Sequence, residues 1–128
     1  LDTVMPGLSL YDFGDMVRSG TNPAEEDELD LNKVGMRFDM YEGLYDGFIS
    51  SAGSFLTEAE KDMLPFSAKL ITLEIGMRFL TDYLAGDTYF ATKYPEHNLV
   101  RCRTQIRLAS EMEAQFAQMS KIIAGILA

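Results

Sequence analysis

The stretch from Phe66 to Leu84 constrains this chain more than any other. Phe66, Leu70, Leu73, Met77, Leu80 and Leu84 follow one another at alternating spacings of four and three. That is the apolar period of an α-helix and conflicts with the two-residue period of a strand. Ile71, Ile75, Phe79 and Tyr83 widen the stripe until it nearly encircles the helix, so the sequence predicts a central buried helix that Gly86 terminates. The same period recurs on both sides. Leu10, Phe13 and Val17 mark a short helix from about Leu8 to Arg18, closed by Ser19-Gly20-Thr21-Asn22-Pro23. Tyr41, Leu44, Tyr45, Phe48 and Ile49 form a stripe that ends near Gly53. Ala109, Met112, Phe116, Met119, Ile123 and Ile126 mark one last long helix that Asn98 caps. No alternating run of any length is present, and the expected fold is all-α and antiparallel. It is a single helical domain over residues 1–128, with a short helix and acidic loop in 8–38 and three longer helices in 39–128.

Local signals refine this. Asp39 with Glu42 and Thr57 with Glu60 each have the spacing of a reciprocal capping box. Pro65 predicts a kink or restart near Leu64, because it cannot donate to the helical ladder and its ring crowds the preceding turn. Gly43 and Gly47 weaken the second helix, which predicts close approach of a neighbouring helix there. Glu25, Glu26, Asp27, Glu28 and Asp30 predict a solvated loop. The eight methionines are spread along apolar stripes and are expected as core gap fillers rather than metal ligands.

Composition narrows the class of function. At 128 residues the chain can bury roughly two-thirds of its unfolded surface. Twenty acids against eleven bases leave a net charge of −9, which repels a polyanion, so nucleic acid is not an expected partner. No window approaches the roughly 20 apolar residues of a membrane span. Cys102 is the only cysteine and His97 the only histidine, too few for a disulfide or a Cys/His metal site and in keeping with a reducing cytoplasm. The chain opens on Leu1-Asp2-Thr3 with no initiator Met, and it is expected to be part of a longer polypeptide.

Few residues carry chemistry. Asp12-Phe13-Gly14 has the letters of the kinase magnesium motif, but only eleven residues precede it, too few for the catalytic loop that comes before that motif in kinases. Phe13 is therefore expected in the core, with Asp12 and Asp15 bracing nearby backbone. Arg101, Arg103 and Arg107 sit in the first turns of the last helix, where the helix dipole disfavours cations. They need an anion or carboxylates from a neighbouring element. Arg78 interrupts an apolar helix, and a buried guanidinium there must find an acceptor, snorkel or line a pocket. Tyr83, Tyr89, Phe90 and Tyr94 follow around a loop, and composition alone makes them a packed aromatic cluster. His97 is expected to stand where the last helix begins. Cys102, beside two arginines, could have a lowered pKa, but no base is paired with it in sequence. The sequence has no phosphate-binding glycine loop, dinucleotide fingerprint, zinc-protease helix, EF-hand or nucleophile elbow.

Several separated blocks nevertheless resemble a known family. Leu1 to Gly7, Tyr11-Asp12-Phe13-Gly14-Asp15, the acidic Glu25 to Glu28, Ala52 to Thr57, Arg78-Phe79-Leu80-Thr81-Asp82-Tyr83-Leu84, Asn98 to Arg101 and Arg103-Thr104-Gln105 are similar to the C-terminal part of bacterial N-acetylhexosamine kinases. These belong to the aminoglycoside phosphotransferase and choline kinase family, with a two-lobe, protein-kinase-like fold. Relatives are sometimes labelled mucin-desulfating sulfatases, yet the sulfatase C/S-x-P-x-R signature is absent here. The resemblance implies that this chain is the helical portion of the C-lobe. It makes residues 1–7 the end of a metal-site loop, with Asp2 behind the magnesium ligand. The catalytic base and the nucleotide-binding N-lobe fall on polypeptide before Leu1, so this chain alone is expected to be inactive. Arg78 and Tyr89 are the implied sugar-binding residues, and Arg101 and Arg103 are candidates for an anion or for structural pairing. The implied reaction uses ATP and Mg²⁺ to phosphorylate an N-acetylhexosamine at its anomeric hydroxyl. The partners are then a sugar and the N-terminal kinase lobe, with self-association where that lobe leaves apolar surface uncovered. The alternative is a non-catalytic helical interaction module that docks through Phe48, Phe66 or Phe116, with Arg78 as a buried brace.

Overall fold

The computed structural model describes residues 9–123, which form five α-helices: α1 Ser9–Gly20, α2 Phe38–Ala52, α3 Glu58–Leu84, α4 His97–Ala114 and α5 Phe116–Ile123. Single 3₁₀ turns at Leu31–Lys33 and Gly53–Phe55 join them, and no strand occurs among the described residues. The all-α expectation holds. Among the described residues no helix is long and apolar enough to cross a membrane.

α3 is the organising element, packed mainly on α4 and α1. Asp82 meets Asn98, Gly76 meets Gln105, and Thr72 meets Met112, so rising numbers on one helix meet falling numbers on the other and α3 and α4 are antiparallel. A Cβ on Gly76 would stand 3.1 Å from the Gln105 Cβ, and one on Gly14 only 2.6 Å from the Ser67 carbonyl oxygen. Close helix approach therefore uses these two glycines. The predicted close approach at Gly43 and Gly47 is not observed, because a Cβ there would meet nothing within 4 Å.

The core gathers Phe13, Val17, Tyr41, Leu64, Ala68, Leu108, Met112 and Met119. Phe13 is fully buried and sits edge-on to Tyr41 and Tyr45, as expected, while Asp15 braces the Arg18 side chain rather than backbone. Met36, Met112 and Met119 fill the core, but Met16, Met40, Met63 and Met77 are exposed.

α3 departs most from expectation. The Thr57–Glu60 capping box forms, with Thr57 Oγ1 accepting from the Glu60 amide and the Glu60 carboxylate accepting from the Thr57 amide. The helix then runs unbroken through Pro65. Only one ladder donor is lost there, and burial of Leu64 and Ala68 on either side holds the segment helical. The buried face of α3 is Leu64, Ala68, Ile71 and Phe79, together with Ser67, Thr72 and Asp82. The stripe that begins at Phe66 faces solvent, since a helix apolar on two sides can turn only one of them into this bundle.

Three smaller expectations also change. α2 starts at Phe38 with Arg37 as its cap and no side-chain capping bond, because the Arg37 amide is tied to the Thr21 carbonyl at 2.9 Å and brings the chain into the helix early. Asp39 pairs instead with Arg37. The last helix is two helices, interrupted at Gln115, whose side-chain Nε2 donates to the Met36 carbonyl at 3.0 Å. Ile126 and the metal-site loop implied for residues 1–7 lie outside the described residues. The acidic segment is tied rather than free, with Glu26 on Arg18, Asp27 on His97, Glu28 near Lys33, and the Glu28 carbonyl on Thr104.

Candidate functional site

The site forms where α3 stops. Ala85 caps the helix, and Gly86 and Asp87 follow with φ of 100° and 60°, two successive left-handed residues that turn the chain back on itself. The turn aims three consecutive amides at the Asp82 carboxylate. Thr88 and Tyr89 donate to Oδ1 at 3.0 and 2.8 Å, and Phe90 donates to Oδ2 at 3.0 Å. The Phe90 amide, with those of Tyr89 and Thr88 and the Asn98 side chain, holds Asp82 below the usual carboxylate range against the opposing effect of burial. The carboxylate is nearly inaccessible, at 5%.

Asn98 connects this turn to α4. It lies inside the helix, buried, not at its cap, which is Glu96. Its Nδ2 donates to Asp82 Oδ2 at 2.8 Å and to Asp87 Oδ1 at 3.0 Å, while its Oδ1 accepts from Arg101 Nη1 at 2.9 Å. Arg101 also donates to the Ala91 carbonyl at 3.0 Å, with its guanidinium 5.5 Å from the centre of the Phe79 ring. Its partners are therefore uncharged oxygens and an aromatic face, not the expected anion or carboxylate. Arg107 does find one, Glu111 at 3.3 Å on its own helix. Arg103 is exposed and stands apart from this site, beside Glu28, Leu29 and Leu31.

Arg78 and Tyr89 come together. Both line a cleft of about 260 Å³ with Thr81, Asp82, Ala85 and Phe90. A neighbouring cleft of about 450 Å³ shares Arg78, Tyr89 and Phe90 and adds Arg101, Arg18 and Glu26. Arg78 is not the buried brace considered from sequence. It is exposed, with no ion pair or side-chain hydrogen bond among the described residues, because the α3 face it occupies looks into the cleft. Tyr89 is 73% exposed, its ring edge-on to Phe90, which tilts against Phe79 at 4.7 Å. Of the expected cluster of Tyr83, Tyr89, Phe90 and Tyr94, Tyr89 and Phe90 pack together and are joined by Phe79, whereas Tyr94 stacks on His97 and Tyr83 makes no ring contact among the described residues.

His97 opens α4, as expected, and neither it nor Cys102 is free for chemistry. The Lys93 amide donates to His97 Nδ1 at 3.1 Å, so that nitrogen carries its lone pair and the network puts the ring hydrogen on Nε2, 2.8 Å from Asp27 Oδ2. Both nitrogens are used, and His97 is buried. Cys102 is buried too, and burial pushes its thiol up, outweighing the pull of Arg103; the lowered value considered from sequence is overturned. Among the described residues no three His, Cys, Asp or Glu side chains stand together as metal ligands, and Asp2 lies outside them.

Sequence reasoning missed Asp82, Asn98 and Arg18. The first two have a visible signal in hindsight, a carboxylate inside an apolar helix and an amide one turn before an arginine. Arg18 has none beyond its i,i+3 spacing to Asp15. Its bonds to Glu26 at 3.0 Å and Gln105 at 3.3 Å are tertiary. The assembled groups offer planar donors and aromatic faces, which suit a ligand with oxygen acceptors and apolar CH surface. No family model matches the chain.

Proposed function

We propose that this chain is the acceptor-sugar side of an ATP-dependent phosphotransferase that phosphorylates an N-acetylhexosamine at the anomeric hydroxyl. One observation carries the reading: the Arg78 guanidinium, unpartnered among the described residues, and an exposed phenol ring, Tyr89, line one cleft about the size of a monosaccharide. Arg78 donates to ring or acetamido oxygens, and Tyr89 offers its hydroxyl to the sugar and its face to the sugar's CH groups. Asp82 and Asn98 are positioning residues that fix the backbone from which Tyr89 projects. ATP and Mg²⁺ supply the phosphoryl group and offset its charge when bound; in this proposal they are held by polypeptide preceding Leu1, in a cytoplasmic enzyme. The buried free thiol of Cys102 is in keeping with that compartment.

The test is a titration of the chain with N-acetylglucosamine and N-acetylgalactosamine, followed by the amide signals of residues 88–90. Selective shifts that Arg78→Ala and Tyr89→Ala abolish, with folding intact, support the reading. Shifts that survive both substitutions, or no binding at all, overturn it. Phosphoryl transfer is measured on the parent polypeptide, where Arg78→Ala raises KM for the sugar. A second reading, a non-catalytic docking module, is favoured by the exposed apolar stripe of α3.

A further inference from the structure

α3 presents a second apolar face to solvent. Phe66, Leu70, Leu73, Met77, Leu80 and Leu84 share it; Met77 is 63% and Leu84 75% exposed, Phe66, Leu70 and Leu80 are 39%, 41% and 37% exposed, and Leu73 is half-buried. This face points away from the buried Leu64, Ala68, Ile71 and Phe79. It runs about 27 Å along the helix at 1.5 Å per residue. It leaves roughly 500 Å² of apolar surface in water, in the upper part of the range for the largest patch on a monomer.

The spacing narrows the occupant. Alternating steps of four and three sustained from Phe66 to Leu84 are the core positions of a heptad, and such a seam is filled by another helix with the same period. We infer that the occupant is α3 of a second copy of this chain, paired in parallel and in register. Complete burial of two such faces removes about 1,000 Å² from water, the minimum a specific interface has to clear. Charge agrees. Lys69 and Glu74 flank the seam on opposite sides, one just before a core position and one just after the next. In a parallel pair Lys69 of each copy lies beside the second copy's Glu74, twice by symmetry. Among the described residues Lys69 otherwise reaches only Glu113, at 3.6 Å. The remaining flanking positions, Ser67, Gly76, Thr81 and Tyr83, carry no charge, so no like charges are set face to face. Arg78 lies about 100° round the helix from the seam and stays clear of it.

Sedimentation velocity on the full chain over a range of concentrations tests this. A species of twice the 14.3 kDa chain mass is expected. Added salt tightens it, because each copy carries a net charge of −9 and screening relieves their repulsion. Met77→Glu and Leu84→Glu, both at exposed positions, keep the circular dichroism of the parent and its melting temperature at dilutions where both are monomeric, and raise the dissociation constant at least about tenfold. Met77→Cys, treated with copper phenanthroline, crosslinks to its own copy. A chain that is monomeric at every concentration overturns the inference. So does an assembly larger than a dimer, association that survives Met77→Glu, or failure of the crosslink in an associated sample. Sugar binding by Met77→Glu is unchanged, so this result and the cleft reading stand or fall separately.

Discussion

The Asn98 side-chain amide donates to the Asp82 carboxylate at 2.8 Å, with both groups buried, and so joins the end of α3 to the start of α4 across sixteen residues. Asp82 is ionised more readily than an ordinary carboxylate because the Phe90, Tyr89 and Thr88 amides and Asn98 all donate to it. Its folded-state value is depressed, so its contribution to stability is complete above the ordinary value of 3.8 and disappears as pH falls through the lowered one. Asp27, depressed by its bond to His97, acts in the same direction. Thermal melts between about pH 2 and 6 should show an acid limb that Asp82→Asn reduces. The same substitution should speed hydrogen exchange at residues 88–90.

Tyr41 is fully buried, and its hydroxyl has no hydrogen-bond partner among the described residues. Burial, with Tyr45 alongside, pushes its ionisation far above the ordinary tyrosine range. Tyr41→Phe removes the stranded hydroxyl and keeps the ring contacts to Phe13 and Phe38. It should stabilise the fold by about 1 kcal/mol, a rise of roughly 3–5 °C in Tm measured by calorimetry.

Gly14 faces backbone, so the clash made by a Cβ cannot be relieved by a side-chain rotation. Gly14→Ala should force α1 off α3 and cost about 1–3 kcal/mol, read from the urea midpoint. Gly43→Ala, in open space within α2, should instead gain a few tenths to about 1 kcal/mol.

His97→Leu leaves the Lys93 amide unsatisfied and releases Asp27, which is exposed enough for water to take over its solvation. A loss of about 1–3 kcal/mol follows. Proteolysis within residues 25–30 should accelerate more than elsewhere, because this bond is one of the ties holding the acidic segment to α4.

The period of Phe13 and Val17, the Thr57 capping box and the stop at Gly86 could all be read from sequence, because each is decided within one or two turns of backbone. So could the pairing of Arg78 with Tyr89 at one cleft, though only through the resemblance, since eleven residues and a chain reversal separate them. Which apolar side of α3 turns inward could not be read. Both sides satisfy the helical period, and the choice depends on Gly14 and Gly76 admitting α1 and α4 on one of them. Asn98 looked like a cap because its chemistry suits that position, but a buried carboxylate sixteen residues earlier competes for the same amide. The break at Gln115 has a similar cause, a side chain that bonds the Met36 carbonyl on a distant segment.

The left-handed pair at Gly86 and Asp87 has a consequence for recognition. Because three amides close on Asp82 within the molecule, the segment that presents Tyr89 loses its conformational freedom when the chain folds, not when a guest arrives. On the proposed sugar-binding reading, loosening that hairpin would lower affinity without altering a single atom that touches the guest.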